Sequence, residues 1–135
     1  MPDRATKPIA ILLVDDDPDD LELFTEAIKN NNPDLNVVHA FNGREAIDLL
    51  SVEKDLPCLI IMDMNKPVLN GKETIAAIKK LDSLHSIPIV VLTTSASETD
   101  QKYCDEFTVG MVTKPSDVKT LNEVMGELIK LCTYN

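Results

Sequence analysis

Basic residues are the scarce class in this chain of 135 residues. Lys and Arg number 13 against 23 Asp and Glu, for a formal charge of −10. A nucleic-acid partner needs a cationic surface that displaces counterions from phosphates, so no DNA or RNA partner is expected. Long apolar runs are also missing. No stretch approaches the roughly 18 apolar residues of a membrane-crossing helix. The opening residues, MPDRATKP, lack the apolar segment of a secretory signal. No membrane partner is expected, and the cytoplasm is the expected compartment. Cysteine is limited to Cys58, Cys104 and Cys132. Their odd number, wide spacing and lack of a CxxC pair argue for reduced, buried thiols over a disulfide or a zinc site. Repeats, low-complexity segments and a long linker are absent too, which favours one domain over residues 9–132. Residues 1–8 read as a polar lead-in and 133–135 as a tail.

What is present is a set of short apolar runs. About 44% of the residues are hydrophobic, and at this length roughly two-thirds of the unfolded surface can be buried. Residues 9–14 (IAILLV), 59–62 (LIIM) and 89–92 (IVVL) are apolar throughout, as expected of parallel strands covered on both faces. Weaker strands are predicted at 36–40 and 111–113. Between them lie helical patterns. Asp17 and Pro18 suit the start of a helix, with Asp19 and Asp20 favourable near its positive end and Leu21, Phe24 and Ile28 on its buried face. Asn42-Gly43 reads as a turn, followed by a short helix packed through Ala46, Ile47 and Leu50. A third helix is predicted over 72–81. A fourth, opened by Ser95 and Glu98 at capping-box spacing, extends to about 107. A fifth over about 117–132 packs through Val118, Leu121, Met125, Leu128 and Cys132. Alternating strands and helices imply a doubly wound parallel α/β sheet with helices on both faces.

Parallel strands bring their C-terminal ends to one edge. There the chain places Asp15 and Asp16 after the first strand, Asp63 after the third, Thr93 after the fourth and Lys114 after the fifth. In the flavodoxin-like order 2-1-3-4-5, the first and third strands are neighbours and the ligand crevice opens between them. Two carboxylates about 4 Å apart repel by roughly 4 kcal/mol at an effective dielectric near 20, so such a cluster needs a cation or a proton. The donors are all oxygen, which suits Mg²⁺, with Mn²⁺ or Ca²⁺ as substitutes, and not zinc. A carboxylate, a divalent cation, a lysine and a hydroxyl on one edge are the parts for placing a phosphoryl group on Asp63.

The segments LLVDDDP (residues 12–18), IIMDMNKPVLNG (60–71), VVLTTS (90–95) and VTKP (112–115) occur in that order, each at the end of a predicted strand. With them the chain resembles the response-regulator receiver domain over nearly its whole length. The resemblance implies Asp63 as phospho-acceptor, Asp15 and Asp16 as Mg²⁺ ligands, and the Asn65 backbone carbonyl as a further ligand. It implies that Lys114 and Thr93 bind the phosphoryl group. Thr93 would pair with the residue at position 111 as a switch. Many receivers carry Tyr or Phe there, and this chain carries Met111. Thr94, bulkier than the small residue often found after the switch Thr, is expected to slow phosphate loss.

The resemblance also implies partners. A sensor histidine kinase or phosphotransfer protein would supply the phosphoryl group. A downstream protein would read the face built by the fourth helix, fifth strand and fifth helix, or the phosphoryl group would pass on in a relay. The chain would be a monomer or a phosphorylation-dependent dimer, and no conventional turnover enzyme. It is similar to the small stand-alone regulators paired with sensor kinases, bacterial phytochromes among them. Two other classes fit less well. A haloacid-dehalogenase-like phosphohydrolase needs a second Asp two residues after the nucleophile, where this chain has Asn65. An FMN-binding flavodoxin needs a hydroxyl- and Gly-rich loop after the first strand, where this chain has three aspartates that would repel the phosphate.

Overall fold

The computed structural model describes residues 11–52, 57–63, 87–93 and 110–132. Its centre is a five-stranded parallel sheet in the order 2-1-3-4-5, as predicted. Strand β1 (Ile11–Val14) lies between β2 (Val37–Ala40) and β3 (Leu59–Asp63), and β4 (Ile89–Thr93) and β5 (Gly110–Thr113) follow beyond β3. Register sets the site edge. Val14 pairs with Met62, Asp63 with Leu92, and Thr93 with Thr113.

Strand alternation sends side chains to two cores. On one face, Leu12, Val14, Ile60, Met62, Ile89 and Val91 pack with Ala46 and Leu50 of helix α2 (Gly43–Val52). On the other, Ile11, Leu13, Leu59, Ile61, Val90 and Leu92 meet α1 (Pro18–Asn31) and α3 (Val118–Leu128). Burial on both faces is why these strands read as unbroken apolar runs. Helix α1 contributes Leu21, Phe24, Ala27 and Ile28, and α3 contributes Leu121, Met125 and Leu128.

The helix starts have local causes. The Asp17 side chain accepts the Asp19 N–H at 2.9 Å and Pro18 occupies the first turn, where its missing N–H costs nothing. Asp117 caps α3 by accepting the Thr120 N–H at 2.7 Å and the Thr120 hydroxyl at 2.9 Å. Those bonds, the backbone one foremost, hold its carboxyl below the usual value. The C-terminal end of α1 packs closely on α3. The Asn31 side chain donates to the Ala27 carbonyl at 2.9 Å and to the Asn122 carbonyl at 2.8 Å. A Cβ at Gly126 would stand 2.7 Å from Asn31 Oδ1, so glycine permits this approach.

Four expectations change. Asn42-Gly43 is a helix cap and not a turn. The Asn42 side chain accepts the Glu45 N–H at 2.8 Å, and Glu45 reaches back to the Phe41 N–H at 2.7 Å. Val118 is 59% exposed and leaves the buried face, because α3 starts its core stripe at Leu121. The last helix ends at Leu128 and tightens into a 3-10 turn, Ile129–Leu131. The fourth concerns the thiols. Cys58 and Cys132 form a disulfide with Cα atoms 5.0 Å apart. The start of β3 and the end of the 3-10 turn meet beside the same core, so two cysteines far apart in sequence become neighbours. The expectation of reduced thiols at these two positions falls with it. Among the described residues, no helix is long and apolar enough to cross a membrane. The predicted helices over 72–81 and 95–107, together with Asn65, His85, Thr94 and Cys104, lie outside the described residues.

Candidate functional site

The ends of β1, β3, β4 and β5 lie on one edge of the sheet, and Asp15, Asp16, Asp63, Thr93 and Lys114 stand in the backbone at or just past them. Asp15 follows β1 and extends its ladder by one bond, donating its N–H to the Ala40 carbonyl at 3.0 Å. Its side chain is buried. Oδ1 accepts the Asp17 N–H at 3.0 Å, which ties the carboxylate to the cap of α1. Oδ2 is also buried and lies outside that bond. Asp16, the next residue, is exposed. The two residues therefore differ in burial.

Asp63 ends β3, one position beyond the Val14–Met62 pair, which sets its backbone level with Asp15. Its side chain lies outside the described residues, as does Asn65. Among the described residues, no group of three His, Cys, Asp or Glu side chains completes a metal site. The part that is described, a buried carboxylate beside an exposed one with no nitrogen or sulfur ligand between them, fits a hard divalent cation.

Thr93 ends β4 and is 1% exposed. Its carbonyl accepts the Lys114 N–H at 2.8 Å, which locks the residue after β5 against the end of β4. Strand alternation places Thr93 and Met111 on the same face of the sheet, and Met111 packs, partly buried, on the core of that face. Lys114 is directed toward α1. Its Nζ lies 2.8 Å from Asp20 Oδ2 and 5.7 Å from the centre of the Phe24 ring. Both charged side chains are about four-fifths buried, at 18% and 21% exposure.

The structure thus brings Asp15, Asp16, Asp63, Thr93 and Lys114 to one edge by their backbone positions and adds Asp20, which sequence reasoning assigned to the helix start. A signal was available. Asp20, Phe24 and Ile28 stand at four-residue spacing, so Asp20 continues the buried stripe of α1 toward the sheet edge. His39 is elsewhere, on the edge strand β2. Its Nε2 lies 2.7 Å from Thr25 Oγ1. The Thr25 hydroxyl donates to the Leu21 carbonyl at 2.7 Å, so the imidazole N–H is the donor in that pair.

Acidic residues at the ends of β1 and β3, the switch point of a 2-1-3-4-5 sheet, with a lysine just past β5, are the backbone arrangement of a receiver-type α/β domain. The chain belongs to the response regulator receiver domain family, whose model matches residues 11–125. It is a two-component receiver by that membership. Among its relatives is response regulator Rcp1 of Synechocystis, 36% identical over 105 residues, which are 74% of this chain and 71% of that protein. The phosphorylated cyanobacterial phytochrome response regulator RcpA superposes with a TM-score of 0.83 at 31% identity, over 93% of this chain and 94% of the other. The Mn²⁺-bound form of Rcp1 gives a TM-score of 0.80 at 32% identity, over 95% and 98%.

Proposed function

We propose that the chain is a phospho-receiver that takes a phosphoryl group on Asp63 from a histidine kinase or phosphotransfer protein. The observation that carries this reading is the common edge of Asp15, Asp63, Thr93 and Lys114, with the lysine backbone bonded to the Thr93 carbonyl at 2.8 Å. An Asp63 carboxylate oxygen attacks the phosphorus of the donor phospho-imidazole. The P–N bond breaks, the imidazole leaves with that electron pair, and the acyl phosphate forms on Asp63. The Lys114 ammonium keeps its proton and offsets charge on the phosphoryl oxygens, and the Thr93 hydroxyl donates to one of them. Asp15, Asp16, Asp63 and the Asn65 carbonyl would hold Mg²⁺, which supplies charge neutralisation among the carboxylates and phosphoryl oxygens. The Mn²⁺-bound form of Rcp1 supports a divalent metal for this chain.

The bond between phosphoryl group and Thr93 biases the domain between two surfaces. With Met111 beside Thr93 on one face, the switch partner is a flexible thioether that repacks in place of a rotating ring. The output is a protein contact on the face of β5 and α3, or onward transfer in a relay. The phytochrome regulator RcpA supports a phytochrome-type sensor kinase as the donor. The test is intact mass after incubation with acetyl phosphate, with and without Mg²⁺, for wild type and Asp63→Asn. A phosphoryl adduct that needs both Mg²⁺ and Asp63 is expected. An adduct of equal yield on Asp63→Asn refutes the assignment of the acceptor.

A further inference from the structure

We infer that Asp20 is a resting-state partner for Lys114 that competes with the phosphoryl group and so restrains phosphorylation. The inference rests on the receiver reading above and adds to it a positioning residue on α1. The Asp20–Lys114 pair has an N–O distance of 2.8 Å with both side chains mostly buried, the short range of charge-assisted hydrogen bonds. The Phe24 ring, 5.7 Å from Nζ, adds a second attraction in the same direction. The lysine backbone cannot follow its side chain, because its N–H is bonded to the Thr93 carbonyl at 2.8 Å. A swing of the four-carbon stem is therefore the movement by which the ammonium exchanges one anion for another. Asp20 sits on the first turns of α1, whose start is fixed by the Asp17 cap and Pro18, so the carboxylate is presented from a rigid support.

The competition has a defined balance. Asp63 attacks the phosphorus of acetyl phosphate, the P–O bond to acetate breaks, acetate leaves with the electron pair, and the dianionic phosphoryl group enters beside Lys114. In that state the ammonium bonds the phosphoryl oxygens and its bond to Asp20 is given up or shared. Removing the Asp20 charge leaves the phosphorylated state without that loss. A pair intermediate between exposed and buried predicts about a fivefold effect on the equilibrium.

The experiment is a titration of the full chain with acetyl phosphate in Mg²⁺, read by intact mass, followed by decay of the adduct after donor removal. Asp20→Asn is expected to reach half-phosphorylation at about fivefold lower acetyl phosphate and to hold its phosphate longer. Asp20→Glu, which restores the carboxylate, is expected to return toward wild type. Placed beside Lys114→Ala, the Asp20→Asn exchange is expected to change neither quantity, because the group it acts through is gone. A labelled wild type with no change in Asp20→Asn overturns the inference alone. An equal change with and without Lys114 also overturns it, since the effect would then bypass the lysine. A wild type that takes no phosphoryl group under any of these conditions overturns the receiver reading and the inference together.

Discussion

Breaking the Cys58–Cys132 disulfide is expected to destabilise the protein through its unfolded state. The two residues are 74 positions apart, so the cross-link closes a long loop in the denatured chain. The loop-closure relation gives about 4.5 kcal/mol for a loop of that size at 25 °C, and native disulfides deliver from about 2 up to this value. For a chain of 135 residues, an unfolding entropy of about 2.1 cal/mol/K per residue turns the upper figure into a fall of about 16 °C in Tm. The assay is thermal and urea unfolding of wild type, Cys58→Ser, Cys132→Ser and the double variant, each with and without dithiothreitol. Reductant should bring wild type down to the variants and leave the variants unmoved. The double variant should match either single one, because each removes the same cross-link. Thiol titration supplies the count. Of three cysteines, one should react in the unfolded chain without reductant and three with it. Three reactive thiols in protein purified without reductant, or a stability difference under about 1 kcal/mol, would refute the reasoning.

Three further outcomes follow from the packing and the caps. Gly126→Ala should lower stability by about 1 kcal/mol. The gain in helix propensity is about 1 kcal/mol, and displacing Asn31 loses two hydrogen bonds at about 1 kcal/mol each; a raised urea midpoint would contradict this. Asn42→Ala should cost about 1 kcal/mol by uncapping α2, and an unchanged midpoint would remove Asn42 from the cap. The Asp117 carboxyl is held below its ordinary value of 3.8 by the Thr120 bonds, so it binds its proton more weakly folded than unfolded. Its contribution is therefore present above pH 3.8 and is lost as pH falls through the lowered value. The stability gap between wild type and Asp117→Asn should be level near neutral pH and close in acid, and a gap that widens in acid would reverse the sign.

Most of the sheet was legible because its signals are local. Ile11 to Val14 and Ile89 to Leu92 are apolar at every position, and a run that short, ended by turn-forming residues, suits a strand buried on both faces. The Asp17-Pro18 start of α1 was legible for the same reason, since cap and first turn are adjacent in sequence. Backbone positions of Asp15, Asp63, Thr93 and Lys114 followed from strand ends and the order 2-1-3-4-5. Contacts made across the fold were hidden. Asp20 meets Lys114 from 94 positions away, and without that partner its acidity in a first helical turn had a sufficient local reason. Cys58 and Cys132 gave no spacing signal, because what joins them is the docking of the 3-10 turn beside the start of β3. Val118 misled by continuing a periodic pattern one step beyond the buried stripe. Asn42-Gly43 has the composition of a turn, and only the Glu45 bonds distinguish a cap from it.

The order in which the site's charges enter the chain has a consequence for synthesis. Asp15, Asp16, Asp20 and Asp63 have all been synthesised once β3 is complete, while Lys114 waits for β5. A nascent chain therefore gathers carboxylates at the edge of β1 and β3 before the ammonium that offsets them exists. Mutual repulsion there opposes early closure of that edge, and the arrival of β5 delivers hydrogen bonds to β4 together with the missing positive charge. Vectorial growth thus makes the last strand both a structural and an electrostatic completion.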